Sequence, residues 1–224
     1  MAETTDWAMQ MEARLLDAAL PHVRELGWTS RLTARAAKDA GLTLAEAELL
    51  LPEGARDLAA LLSYRHDEAA IAALAPLDPA ALKIRERIAR GVQARVEAAA
   101  ADEVAVRRLL GFLSLPPNLV LGSRLAWESA DRIWRWAGDA ASDENHYSKR
   151  AILAALLGST LAVRLSGGAA AADVHLARGI DTVMAYERAK ARFLRGRDIP
   201  ATLAEALGRM RYGRSPADAD ATPA

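Results

Sequence analysis

Residues 15–62, LLDAALPHVRELGWTSRLTARAAKDAGLTLAEAELLLPEGARDLAALL, decide the fold. Apolar positions at Met9, Ala13, Leu16, Leu20 and Val23 recur at helical spacing; Pro21 kinks this helix and Leu26-Gly27 ends it. A segment from Leu32 to Lys38 follows Trp28-Thr29-Ser30, Ala40-Gly41-Leu42 makes a tight turn, and a short helix opens at Thr43. Pro52 and Gly54 close a unit at 1–54, and a longer helix runs from about Arg56 to Leu74, stopped by Pro76 and Pro79. Helix, glycine turn and short helix in this order predict a helix-turn-helix.

Composition agrees with an all-α chain. Hydrophobic residues make up 52% of the 224 residues but aromatics only 5%, the balance being alanine and leucine, which favour helix over sheet. Lysine plus arginine equals aspartate plus glutamate at 29 each, which weighs against a dedicated nucleic-acid binder. The absence of cysteine excludes disulfides, thiolate metal sites and cysteine nucleophiles. His22, His66, His146 and His175 lie far apart, and Asp143 with His146 makes only two ligands, so no metal or other cofactor and no catalytic constellation is expected. No run of about 18 apolar residues is visible, and the first residues carry Glu3, Asp6 and Glu12 instead of a signal peptide or presequence. The expected location is the cytoplasm, peripherally associated with the inner membrane.

Beyond the first unit, a helical body is expected over 55–196. The segment from Ala81 to Ala99 buries Leu82, Ile84, Ile88, Val92 and Val96 and leaves Lys83, Arg85, Arg87, Arg90 and Arg95 as a solvated basic face. Asp102 is positioned to cap the next helix, which Pro116-Pro117 stops. Residues 116–150, PPNLVLGSRLAWESADRIWRWAGDAASDENHYSKR, then hold three of the five tryptophans. Wound as a helix, this stretch sets Arg124, Glu128, Asp131, Arg132 and Arg135 on a solvated face and Leu119, Ala126, Ala130 and Ile133 on a buried one. Trp127 and Trp134 flank the buried face; Trp136 falls on the other flank with Leu125. Ile152 to Leu165 and Val174 to Phe193 form two further helices with broad apolar faces, separated by Ser166-Gly167-Gly168. These faces either line an elongated apolar chamber or pack as an ordinary core. The chamber's candidate lipid-binding residues are Leu121, Trp127, Ile133, Trp134, Leu153, Leu156, Leu157, Leu161, Val183 and Met184. At 197–214 a linker leads to an amphipathic helix whose Leu203, Leu207, Met210, Arg209, Arg211 and Arg214 either meet an anionic membrane surface or dock on the protein itself. The tail at 215–224 is rich in Pro, Ala and Asp and expected to be disordered.

The quoted N-terminal stretch resembles the N-terminal domain of TetR-type repressors. The likeness lies in the Leu16-Asp17-Ala18-Ala19-Leu20 opening, the Glu25-Leu26-Gly27-Trp28 corner, the Ala37-x-x-Ala40-Gly41-Leu42 turn and the Leu51-Pro52-x-Gly54 corner. Where a repressor reads DNA, however, Thr43 to Leu50 offers Glu46, Glu48 and leucines, which repel a phosphate backbone. A ligand-responsive transcription regulator is therefore the alternative reading.

The run from Asp131 through Ile133-Trp134, Ala137-Gly138-Asp139 and Asp143-x-Asn145-His146-Tyr147-Ser148-Lys149-Arg150 resembles the coenzyme Q (ubiquinone) biosynthesis accessory family, the ninth Coq protein, a lipid-binding relative of the TetR fold. Its likeness spans roughly residues 10 to 195, and many members have tryptophan where this chain has His146. The resemblance implies an accessory protein, not an enzyme, that binds an isoprenoid quinone precursor and presents it to the di-iron demethoxyubiquinone hydroxylase. It implies a docking surface at Asp143, Asn145, His146, Tyr147, Lys149 and Arg150, to which Trp136 is added by position. The TetR likeness implies a homodimer through the last two long helices.

Overall fold

A computed structural model describes residues 2–139 and 144–196, with side chains described in 7–139 and 147–183. Among these residues the chain is all-α, and it divides into two compact units, Met1–Ile180 and Asp181–Ala224.

In the first unit, α1 (Ala2–Ala19) gives way at Pro21 to a 3-10 turn and then to α2 (Val23–Leu26). Gly27 turns the chain at φ +61, a conformation costly for any residue with a Cβ. α3 (Ser30–Asp39) and α4 (Leu44–Leu50) follow, joined by a four-residue turn. Thr43 and Glu46 close a reciprocal capping box on α4: the Thr43 N–H donates to Glu46 Oε2 at 2.8 Å and the Glu46 N–H to Thr43 Oγ1 at 3.2 Å. The Thr43 hydroxyl, donating to Glu46 Oε2 at 2.7 Å, and then the Thr43 N–H hold the Glu46 carboxyl below its ordinary pKa. Leu44, Glu48 and Leu49 face solvent on α4.

The core of this region does not stop at residue 54. Leu15, Leu16, Trp28, Leu32 and Ala36 pack with Leu58 and Leu62 of α5 (Ala55–Leu74) and with Ala105 and Leu109 of α7 (Glu103–Leu113). The Trp28 indole N–H donates to the Ala105 carbonyl at 3.3 Å. Asp102, expected to cap α7, makes no side-chain cap; its Oδ2 lies 2.8 Å from His66 Nε2. Burial outweighs that bond and lowers the His66 pKa.

A second core joins α6 (Ile84–Ala100), α8 (Leu119–Trp136) and α9 (Glu144–Gly196) through Ile88, Val92, Val96, Ala130, Ile133, Leu153, Leu156, Leu157, Leu176 and Ile180. Gly91 lets α8 approach α6 closely, since a Cβ there would lie 2.4 Å from Ile133 Cγ2. Gly168, at φ +81, breaks α9 inside its span, where the sequence predicted a stop. Residues 169–180 return alongside the first arm, with Gly179 against Leu156 and His175 Nε2 3.0 Å from Ser159 Oγ.

Three inward expectations fail: Ile84, Leu119 and Val174 are exposed, Leu119 by 52%. Ile84 and Leu119 are the first residues of their helices, where the periodic stripe has no facing partner. The segment Tyr147–Val183 also contains an 18-residue window of mean hydropathy 1.5, apolar enough to cross a membrane by length and composition. An uninterrupted apolar run is not visible there because Gly158, Ser159, Thr160 and Arg164 interrupt it. The described part of the second unit is the end of α9, at 181–196.

Candidate functional site

α5 and α8 lie side by side above a buried polar layer. Ser63 and Asp67 share one face of α5, Arg95 enters from α6 and Ser129 from α8. Arg95 Nε donates to Asp67 Oδ1 at 2.5 Å, Ser129 Oγ donates to the same oxygen at 2.7 Å, and Arg95 Nη2 reaches Ser63 Oγ at 3.1 Å. Arg95 therefore belongs to the interior and not to the basic face expected of it. Arg87 likewise spends its guanidinium on the Leu82 and Ala137 carbonyls.

Outside this layer the two helices enclose a groove of about 1070 Å³. Tyr64, Glu68, Ile71, Ala72 and Ala75 form the α5 wall, and Trp127, Glu128, Asp131, Arg132, Arg135 and Trp136 the α8 wall. The α8 face expected to be merely solvated is thus half of a groove, because α5 stands opposite it. Its charges are largely paired: Arg135 Nε lies 2.6 Å from Asp131 Oδ2, Arg132 Nε 3.9 Å from Asp67 Oδ2, and Arg124 Nε 3.8 Å from Glu128 Oε1. Burial and a hydrogen bond to Glu128 raise the Tyr64 pKa. The groove combines indole and phenol surface with a charged floor, so it suits an amphipathic ligand.

The tryptophans divide differently from the sequence reading. Trp127 and Trp136 both line the groove, Trp136 also packing on the second core beside Trp134, whose indole N–H donates to the Lys149 carbonyl at 3.2 Å. Lys149 Nζ stands 5.5 Å from the Trp134 ring centroid. At the groove's edge the Trp127 and Tyr147 rings lie 6.0 Å apart at 31°.

Of the other candidate lipid residues, Ile133, Leu153, Leu156, Leu157 and Leu161 pack in the second core, and Leu121 joins a small cluster with Ala60 and Leu125. Val183 lies in the second unit. The side chains of Met184, Asn145 and His146, and Asp143 altogether, lie outside the described residues, as do Leu203, Leu207, Arg209, Met210, Arg211 and Arg214. In the expected docking surface Tyr147 is 66% exposed, but Arg150 is only 2% exposed. Arg150 is drawn inward by Asp131 Oδ1, 2.5 Å from its Nε, and by Asp139 Oδ2, 3.4 Å from its Nη1; Lys149 also pairs with Asp139 at 3.0 Å. Tyr64, Glu68 and Ile71 were not singled out from sequence, although with Ala75 they fall at i, i+4, i+7 and i+11, a stripe of mixed polarity that marks a groove wall better than a core. No group of three or more metal-ligating side chains occurs among the described residues.

Fold and groove together define an all-α, helix-walled groove architecture. A COQ9 family model matches residues 119–187, from the start of α8 into α9. The chain is 28% identical over 159 residues to the Rattus norvegicus protein "Ubiquinone biosynthesis protein COQ9, mitochondrial", covering 67% of this chain and 50% of the relative. The Homo sapiens protein of the same name gives 28% over 159 residues, with 67% and 49% covered, and the Bos taurus protein 29% over 160 residues, with 67% and 49% covered. The chain spans about half the length of the curated relatives it matches. The chain is therefore similar to the COQ9 family over α8 and much of α9, and to the COQ9 proteins named above over about two thirds of its own length.

Proposed function

We propose that this protein is a non-enzymatic, lipid-binding accessory factor of ubiquinone biosynthesis, which holds an isoprenoid quinone precursor and presents it to the demethoxyubiquinone hydroxylase. The observation that carries the proposal is the groove between α5 and α8, with Trp127 and Trp136 on its wall and Tyr147 against Trp127. The family match covers the α8 wall and the start of α9, and the relatives' names place those proteins in ubiquinone biosynthesis. A ring-bearing head would lie against the indoles, and each isoprenoid methylene removed from water would add about 0.8 kcal/mol. The exposed Tyr147 and the neighbouring Lys149 form the presenting surface. A membrane contact by the 197–214 segment and a homodimer through α9 complete the proposal. Because α4 exposes Leu44, Glu48 and Leu49 and no cation among them, a DNA-reading role is not assigned.

Organic extraction of the purified protein followed by mass spectrometry should yield an isoprenoid lipid. An empty protein whose tryptophan fluorescence ignores added prenylated quinone would contradict the proposal.

A further inference from the structure

Two oxygens beside or beneath the groove lack a hydrogen-bond donor. Glu128 Oε2 is buried and unpartnered in a residue that lines the groove, and Asp67 Oδ2 is unpartnered in a side chain that is 2% exposed. Arg132, one turn beyond Glu128 on α8 and also lining the groove, stands 3.9 Å from that Asp67 oxygen, too far for a hydrogen bond. The α8 wall therefore sets an acceptor in need of a proton next to a guanidinium with donors to spare. Tyr64 stands on the opposite wall of the same groove. A buried carboxylate oxygen without a donor is costly, and a ligand that supplies one gains correspondingly.

We propose that the groove selects a ligand whose ring carries a free hydroxyl, a phenol or hydroquinone, over the corresponding quinone. The hydroxyl donates to Glu128 Oε2 and its oxygen accepts from Arg132, while the ring lies against Trp127 and Trp136. A quinone carbonyl also accepts from Arg132, but it has no proton for Glu128 and turns its lone pairs toward a carboxylate. A methylated ring oxygen fails for the same reason. This inference rests on the groove being the ligand site and adds the chemistry of the ligand's polar end. A site built to bond a hydroxyl discriminates strongly against an analogue without one.

The test is anaerobic equilibrium dialysis of the full chain against a geranylated hydroquinone and, separately, the geranylated benzoquinone of the same substitution. The hydroquinone should bind roughly tenfold more tightly or better. In Glu128→Gln, whose amide offers a donor of its own, the ratio should fall toward one with no drop in the unfolding midpoint. Equal affinity of the two forms in the native protein, with both displaced by the groove-filling Ala72→Trp, overturns the hydroxyl selectivity and leaves the groove as the ligand site. A preference that survives in Glu128→Gln overturns the assignment to Glu128. Failure of both forms to bind overturns this inference and the proposed function together.

Discussion

Arg150 of α9 donates to Asp131 of α8 at 2.5 Å from a position that is 2% exposed, and Asp131 also lines the groove. One carboxylate thus bonds a buried cation through Oδ1 and the groove's Arg135 through Oδ2. Removing one partner of a buried pair leaves the other charge uncompensated. Asp131→Ala should therefore destabilise the protein in urea unfolding by clearly more than the roughly 1 kcal/mol of an exposed ion pair, even with Asp139 still 3.4 Å from Arg150. A loss below about 1 kcal/mol, the range of an exposed ion pair, would show that Arg150 is solvated.

Stability should also fall in mild acid. His66 has its pKa lowered from 6.5 in the fold, chiefly by burial. The unfolded chain therefore takes up the proton first, and this group's contribution, complete above about pH 6.5, is lost as pH drops through the depressed folded value. The unfolding midpoint of the native protein should decline from pH 7.5 to 5 more steeply than that of His66→Gln. Parallel declines would mean that His66 is not protected as its surroundings indicate.

Close helix contacts give a pair of opposite expectations. Gly91→Ala puts a methyl 2.4 Å from Ile133 Cγ2, on a stiff β-branched side chain, and should cost about 1–3 kcal/mol. Gly111→Ala, in α7 with nothing within 4 Å, should gain up to about 1 kcal/mol from helix propensity. Chemical denaturation of both variants checks the pair, and the same sign for both would contradict the packing described.

The sequence carried the element order well, because Pro21, Gly27, Gly41, Pro52, Pro76 and the Gly167-Gly168 pair each punctuate a helix with backbone chemistry that no neighbour can override. It carried the site poorly. Periodicity places Glu128, Asp131 and Arg132 on a polar face, but only the presence of α5 across from them makes that face a groove. Arg95 and Arg150 read as surface cations for the same reason, since their partners Asp67, Asp131 and Asp139 lie 28, 19 and 11 residues away. The placing of the tryptophans turned on the same missing neighbour: Trp136 reaches the groove alongside Trp127 while also packing on the second core beside Trp134.

Tyr147 offers a separable test of presentation. Its ring is exposed and meets the groove wall at Trp127, so Tyr147→Ala should leave lipid content intact while weakening association with the hydroxylase by roughly 1–2 kcal/mol in a direct binding assay. Loss of lipid with the complex preserved would reverse the roles given to the two aromatic rings.

The central claim is that lipid occupies the groove between α5 and α8. Ala72 is exposed on its α5 wall, so Ala72→Trp fills the groove without entering either core. Quantitative extraction and mass spectrometry of the native protein and this variant, matched for unfolding midpoint, should find isoprenoid lipid in the first and a several-fold smaller load in the second. Equal loads in both, or none in the native protein, would contradict the claim.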